Sequence, residues 1–311
     1  MITAINREMP TLKSKYVNGN YNVIIFNDGS KIRYTSGDEF KPEFPESIDL
    51  KITNKCPYNC PFCHENSKPD GVEAKLINDD GTFAFEFMNT LKPGTELAIG
   101  GGSVMTHSQL KPFLTLLKER GIIASMTVNQ QELIDNISVI RGFIKEDLIN
   151  GLGVSYRAPS TILERFAREN SNLVIHVIAG LIDLKDIEYI KNNFKKVLIL
   201  GYKDFRRGIN FHNGYVDSNI NTLKNHLDSL FWRMDTTSFD NLALTQLDVK
   251  NVVEEETYEE IFMGDDGQFT MYIDLPNNKF AKSSIYDEDK RVDLTDNIND
   301  MFTYVKESMN A

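Results

Sequence analysis

Between residues 47 and 210 the sequence alternates six times between a short apolar stretch and a longer amphipathic one. The apolar stretches predict β-strands at residues 48–53, 95–99, 122–128, 152–155, 173–178 and 196–200. Repeated strand–helix units build a parallel sheet, because each crossover connection is right-handed. Six units predict an α/β fold, a partial (β/α)6 TIM-like barrel, with its chemistry at the carboxyl ends of the strands.

The N-terminal segment carries a different signal. Residues 21–26 are rich in β-formers, residues 27–30 supply turn chemistry, and residues 31–35 can return as a second strand. We therefore expect an N-terminal β-hairpin extension over residues 1–46.

After residue 215 the strand–helix rhythm is lost. Helices are predicted at residues 217–232, 239–247 and 294–308. A hairpin is predicted from a strand at 260–263, a turn at 264–267 and a strand at 268–275. We expect the barrel to span residues 47–215, and residues 216–311 to form an α+β extension on the substrate side.

The net charge of −11 argues against a broad electrostatic grip on nucleic acid or on an anionic membrane. No apolar run reaches the roughly 18 residues that a membrane helix needs. The first eight residues lack the charged-then-apolar pattern of a secretion signal. Clustered thiols without disulfide-like spacing are typical of a reducing compartment. These features predict a cytoplasmic protein that does not enter the membrane.

All three cysteines of the chain, Cys56, Cys60 and Cys63, lie within eight residues. Three is an odd number for disulfides and one short of the four protein ligands of a structural zinc site. An iron–sulfur cube held by three thiolates would leave one iron open to a small molecule. The alternative is a zinc site with His64 as the fourth ligand, although adjacent Cys63 and His64 can hardly point at one tetrahedral ion.

The C-x3-C-x2-C spacing, with the aromatic Phe62 directly before the last cysteine, resembles the radical S-adenosylmethionine enzymes. The resemblance covers roughly residues 47–210. It implies that the three cysteines bind an oxygen-sensitive [4Fe–4S] cluster, whose open iron is chelated by the amino and carboxylate groups of S-adenosylmethionine. Reductive cleavage of that cofactor then yields a 5′-deoxyadenosyl radical that abstracts hydrogen from a substrate.

The resemblance also implies cofactor contacts at the strand ends. Gly100, Gly101, Gly102 and Ser103 occupy the place of a Gly-Gly-Glu motif that meets the methionine amino group. Since Gly102 replaces the acid, that contact is left to backbone carbonyls or to Ser103. The remaining cofactor positions implied by the resemblance are Phe62, Asn129, Ser155, Arg157, Ile178, Gly180 and Tyr202.

The expected substrate is a peptide or protein side chain, and the alternative is a nucleotide-derived small molecule. The resemblance implies an electron donor such as flavodoxin or ferredoxin. No cysteine follows Cys63, so a single cluster is expected. A non-catalytic binding module, stabilised by a metal on the same cysteines, remains the alternative to an enzyme.

Several other polar residues receive plainer interpretations. His64 and Glu65 would either face the substrate or, as we predict, tie down the cysteine loop. His176, within an apolar strand, is predicted to be structural. Lys203, Arg206 and Arg207 form a basic cluster after the sixth strand. They would either lie in a solvated loop or receive an anionic group of the substrate.

Overall fold

The computed structural model describes residues 9–286 and 288–308. The first eight residues, whose lack of a signal pattern favoured a cytoplasmic location, lie outside this part. The strands of the described residues are β1 (Leu12–Asn18), β2 (Tyr21–Phe26), β3 (Lys31–Thr35), β4 (Ser47–Thr53), β5 (Glu96–Gly101), β6 (Ile123–Asn129), β7 (Gly151–Ser155), β8 (Leu173–Ile178), β9 (Lys196–Leu200), β10 (Thr236–Phe239), β11 (Thr270–Asp274), β12 (Lys279–Ala281) and β13 (Val292–Asp293). The α-helices are α1 (Leu110–Glu119), α2 (Gln130–Asp135), α3 (Ile137–Lys145), α4 (Thr161–Glu169), α5 (Leu184–Asn193), α6 (Arg207–Phe211), α7 (Gly214–Lys224), α8 (Leu227–Arg233), α9 (Asn241–Gln246), α10 (Glu255–Ile261) and α11 (Ile298–Ser308).

In the described part of the chain, ten strands form one sheet in the order β10-β9-β8-β7-β6-β5-β4-β11-β12-β13. Neighbouring strands from β10 through β11 run parallel, and β12 and β13 continue the sheet antiparallel. The six predicted strands correspond to β4 through β9. The prediction of an α/β fold built on a partial TIM-like barrel is therefore confirmed.

Strand periodicity sends alternate side chains of β4 to opposite faces of the sheet. Ile48, Leu50 and Ile52 are almost fully buried and belong to the same core as Phe113 and Leu117 of α1. Burying each of these side chains stabilises the fold by about 2 kcal/mol. Across the described ranges, no helix has the length and apolar character needed to cross a bilayer.

The N-terminal segment forms a separate antiparallel sheet in the order β1-β2-β3. Its β2–β3 pair is the predicted hairpin, and β1 is an additional strand. The buried carboxylate of Glu46 anchors this sheet to the barrel. It accepts hydrogen bonds from the Tyr21 hydroxyl at 2.6 Å and from Arg33 Nε at 2.8 Å, and it pairs with Lys31 at 3.2 Å. Burial opposes ionisation of Glu46, but Lys31 and Arg33 outweigh it and lower the pKa of the carboxyl.

The C-terminal segment contributes strands to both ends of the barrel sheet, β10 beside β9 and β11 beside β4. The predicted strand at 260–263 is wrong, because α10 extends to Ile261 and a loop follows it. The observed hairpin lies one step later, between β11 and β12. The hairpin is displaced because β11 pairs in parallel with β4. Turn residues in the sequence do not reveal such a pairing between distant strands.

Candidate active site

Residues 54–67, the cysteine loop, follow β4 directly and are tied down at both ends by backbone hydrogen bonds. The Asn54 amide donates to the Val72 carbonyl at 2.8 Å, and the Cys56 amide donates to the Lys68 carbonyl at 2.8 Å. Asn59, with φ of 45°, takes a left-handed backbone conformation, which asparagine tolerates better than most residues. The loop is thus folded by local backbone contacts of its own.

The three cysteines are free, half-buried thiols that line one cavity of about 400 Å³. Burial raises the pKa of Cys56, and the charges of Cys60 and Cys63 raise it further. Burial also raises the pKa of Cys60, against the lowering effect of the nearby Arg157 guanidinium. The thiols therefore lie close enough to feel one another's charge.

The donor set fits an iron–sulfur cube better than a single ion. Among the residues that the structure describes, no three His, Cys, Asp or Glu side chains are arranged to hold one metal ion. A cube does not require such convergence, because each thiolate binds a different iron. His64, the fourth ligand of the zinc alternative, instead directs Nε2 to Glu65 Oε1 at 3.4 Å.

The cavity lies at the carboxyl ends of β4 through β8, where the parallel sheet places its reactive edge. It collects most of the cofactor positions predicted from the sequence. These lining residues are Cys56, Cys60, Phe62, Cys63, Gly100, Gly101, Gly102, Asn129, Ser155, Arg157 and Ile178. His64 lines it as well, and so do Tyr58, Ser67, Thr127 and His176, which were not predicted to do so.

The glycine run at the end of β5 has a steric explanation. A β-carbon on Gly102 would lie 2.2 Å from the Lys55 carbonyl oxygen, and one on Gly101, whose φ is 120°, would lie 2.5 Å from that of Thr53. A β-carbon on Gly100 would meet nothing within 4 Å. An acidic residue at position 102 is therefore excluded by the close approach of the cysteine loop, whereas Gly100 borders open space.

Ser103 does not line the cavity, because its hydroxyl donates a 2.6 Å hydrogen bond to Glu132 Oε1. The buried Glu132 also accepts from the Met105 amide at 2.9 Å and forms a reciprocal capping box with Asn129 at the start of α2. Sequence reasoning missed Glu132, although the Asn-x-x-Glu spacing is a helix-start signal that could have revealed it.

Arg157 stands at the mouth of the cavity with an available guanidinium. Within the described residues, its side chain makes no hydrogen bond or ion pair. Gln130, also missed from the sequence, fixes the backbone beneath it: Gln130 Oε1 accepts from the Arg157 amide at 2.9 Å, and Gln130 Nε2 donates to the Ala158 carbonyl at 2.9 Å. The arginine is thus held in place by its backbone while its charged group faces the cavity.

Besides Ser103, two other predicted cofactor residues lie outside this cavity, Gly180 and Tyr202. The Gly180 carbonyl accepts from Asn219 Nδ2 at 3.1 Å, and a β-carbon on Gly180 would lie 2.7 Å from Val216. The buried Tyr202 donates its hydroxyl to the Gly208 carbonyl at 2.8 Å and borders a small adjoining space that also touches Phe62. Both residues support the segments that follow β8 and β9.

Residues 203–212, which we call the α6 segment, cross over the cysteine loop. Arg206 donates to the His64 carbonyl at 2.5 Å and pairs with Glu288 at 2.9 Å. Arg207 donates to the side chain of Asn59 and to the Ser67 carbonyl. These arginines are therefore neither free in a solvated loop nor available for an anionic substrate, because they hold the loop itself.

Glu65 ties the loop to the barrel wall, as the sequence suggested. Lys51 Nζ lies 2.5 Å from Glu65 Oε2 and 3.1 Å from Asp274 Oδ2, and the buried Arg291 pairs with the same Asp274 oxygen at 3.0 Å. Burial opposes ionisation of Glu65, but His64 and Lys51 outweigh it and hold the pKa of Glu65 well below its usual value. The network joins the cysteine loop to β4 and β11.

Solved structures share this architecture. SuiB of Streptococcus suis bound to precursor peptide SuiA aligns with a TM-score of 0.66 at 12% identity, over 96% of this chain and 89% of that one. SuiB bound to S-adenosylmethionine gives 0.62 at 11% identity, over 94% and 87%. The anSMEcpe structure with AdoMet and the Cp18Cys peptide gives 0.52 at 14% identity, over 84% and 80%. The chain shares the fold of these SuiB and anSMEcpe structures.

No protein-family model and no curated protein sequence matches the chain. At 11–14% identity the likeness is one of fold. In this shared fold, the cysteine loop, the glycine run and Arg157 meet at one edge of the sheet, although they lie far apart in sequence.

Proposed function

We propose that the protein is a radical S-adenosylmethionine enzyme. Cys56, Cys60 and Cys63 would hold a [4Fe–4S] cluster, and the same cavity would bind S-adenosylmethionine. When bound, this pair supplies reductive cleavage of the sulfonium to methionine and a 5′-deoxyadenosyl radical, with an electron from a donor such as flavodoxin or ferredoxin. The carrying observation is that three free thiols share one strand-end cavity with an available guanidinium.

The residues of the chain bind and orient the cofactor in this account. Arg157 would receive the methionine carboxylate, because a planar guanidinium matches a carboxylate with two parallel hydrogen bonds. Backbone carbonyls near Gly100 would receive the amino group, since Ser103 is engaged by Glu132 and position 102 has no room for an acid. Asn129, Ser155 and Ile178 would line the nucleoside.

We propose a peptide or protein side chain as the substrate. Two of the similar solved structures hold peptides, SuiA in SuiB and Cp18Cys in anSMEcpe. The chain also has a second, open cavity of about 960 Å³, lined mainly by polar and charged groups of the C-terminal segment that include Asp265, Gln268, Lys282 and Ser283. Amide and hydroxyl groups of this kind can pair with the backbone of an extended peptide. Residues 216–311 would thus form the substrate side of a barrel that spans residues 47–215.

Anaerobic reconstitution tests the cofactor chemistry. We expect about four irons per chain, and 5′-deoxyadenosine and methionine after addition of dithionite and S-adenosylmethionine. Cys60→Ala should lose both, whereas His64→Asn should still take up about four irons, because His64 is not a ligand in this account. Tightly bound zinc that His64→Asn releases, with no cofactor cleavage, would refute the proposal.

The substrate class is tested separately by incubating the active enzyme with small peptides encoded beside its gene. A change in peptide mass that requires S-adenosylmethionine is the expected result. Unchanged peptides, together with consumption of a nucleotide-derived compound, would favour the other substrate class.

A further inference from the structure

His176 is a polar side chain on the inner face of β8 that the proposed chemistry leaves unused. Leu173, Ile175 and Val177 of the same strand are buried on the opposite face. The His176 backbone is engaged, because its carbonyl accepts from the Tyr156 amide at 2.9 Å. Its ring lines the cavity that holds the three cysteines.

The ring has a defined place because Gly153 on the neighbouring strand leaves room for it. A β-carbon on Gly153 would lie 2.2 Å from Cε1 and 2.5 Å from Nε2 of His176. The absence of a side chain at position 153 therefore lets the imidazole lie against β7. The imidazole therefore has Gly153 on one side and the open cavity on the other. A histidine that served only to fill space would not need both.

Neither ring nitrogen of His176 has a hydrogen-bond partner within residues 9–286 and 288–308. Burial lowers the pKa of His176 to about 4, so the imidazole is neutral near pH 7. A neutral imidazole offers one N–H donor and one acceptor. Because the ring lines the cavity, a ligand that enters the cavity can pair with these nitrogens.

We propose that His176 hydrogen-bonds the nucleoside end of S-adenosylmethionine, an inference that rests on the proposed function. The nearest residues of the wall support this choice. Ser155 pairs with His176 across β7 and β8, and Ile178 follows on the same face. The anionic carboxylate of the cofactor would be received by Arg157. Ribose hydroxyls and adenine nitrogens match its single donor and single acceptor.

The test measures binding of separate cofactor parts to the reconstituted protein by equilibrium dialysis. His176→Phe should weaken binding of 5′-deoxyadenosine about tenfold, as expected for one lost hydrogen bond in a dry site. Binding of L-methionine should not change. His176→Asn, which keeps a donor and an acceptor, should recover part of the affinity.

His226→Asn is the matched control, since His226 bonds the Thr222 carbonyl at 2.8 Å and does not line the cavity. Circular dichroism and a thermal melt establish that each variant is folded. If His176→Phe binds 5′-deoxyadenosine like the wild type, or loses methionine affinity equally, the inference is overturned while the proposed function stands. A wild type that takes up no iron and binds no S-adenosylmethionine overturns both.

Discussion

The guanidinium of Arg207 donates a 2.7 Å hydrogen bond to the carbonyl oxygen of Ser67, at the far end of the cysteine loop. Arg207 lies 140 residues later in the chain than Ser67, at the start of α6. The segment after the last predicted strand thus reaches the loop after the first one and holds it in place. The Phe62 and Phe211 rings meet edge to face at 5.7 Å beside it.

Arg207→Met should loosen the cysteine loop even in cluster-free protein. Each lost hydrogen bond involves a charged donor, so we expect the free energy of unfolding to fall by about 2–3 kcal/mol. Hydrogen exchange of residues 56–67 should accelerate, and iron retention after reconstitution should drop. Arg168→Met, which removes only an exposed pair with Glu164 at 3.7 Å, is the control. Unchanged exchange in the loop would contradict this role.

Two alanine substitutions in one glycine run should behave oppositely. Gly102→Ala forces a β-carbon against the Lys55 carbonyl and should destabilise the protein by about 1–3 kcal/mol or more, because backbone cannot move aside cheaply. Gly100→Ala meets open space and should leave the melting temperature nearly unchanged. Thermal melts of both variants test this difference. Equal decreases in melting temperature would show that the close approach of the Lys55 carbonyl does not exclude a side chain at position 102.

Lys51 holds two buried carboxylates, so its loss should be costly. Lys51→Met leaves Glu65 without its cation, and breaking a buried pair typically costs 3–5 kcal/mol, against less than about 1 kcal/mol for exposed Lys111→Met. Adding Glu65→Gln should restore part of the loss. Urea unfolding of the single and double variants measures this coupling; strictly additive losses would argue that the two side chains act independently.

The stability of the cluster-free protein should fall in mild acid because His176 stays neutral when folded. Its pKa of about 4 lies below the unfolded value of 6.5, so between these pH values the unfolded chain binds the extra proton. The free energy of unfolding should therefore decrease as the pH falls from 6.5 to 4, by roughly 3 kcal/mol from this residue. His176→Phe should have a shallower slope in urea titrations across this range, and an unchanged slope would show that His176 titrates normally.

The sequence predicted the barrel because its signals are local. Period-two apolar strands such as Ile48, Leu50 and Ile52 and the spacing of the cysteines can be read without tertiary information. Contacts between distant segments were not readable. For example, the hydrogen bond from Arg206 to the His64 carbonyl forms because the curvature of the sheet brings the α6 segment over the cysteine loop.

Gly102 is a second case in which a contact between distant segments could not be predicted from the sequence. Its identity was visible as a departure from Gly-Gly-Glu, but the cause is the Lys55 carbonyl lying where a side chain would begin. The Ser103 hydroxyl was expected to face the cofactor, and the structure instead directs it to Glu132. Both outcomes depend on packing between β4, β5 and α2, which no single segment encodes.

The central claim is that the cysteine-bound cluster keeps one iron open for S-adenosylmethionine. Electron paramagnetic resonance of the reduced, reconstituted protein, recorded with and without S-adenosylmethionine, tests it most directly. The account predicts a [4Fe–4S]⁺ signal whose g values shift when S-adenosylmethionine is added and which is absent in Cys60→Ala. A signal that S-adenosylmethionine leaves unchanged, or no iron signal at all in a folded wild type, would contradict it.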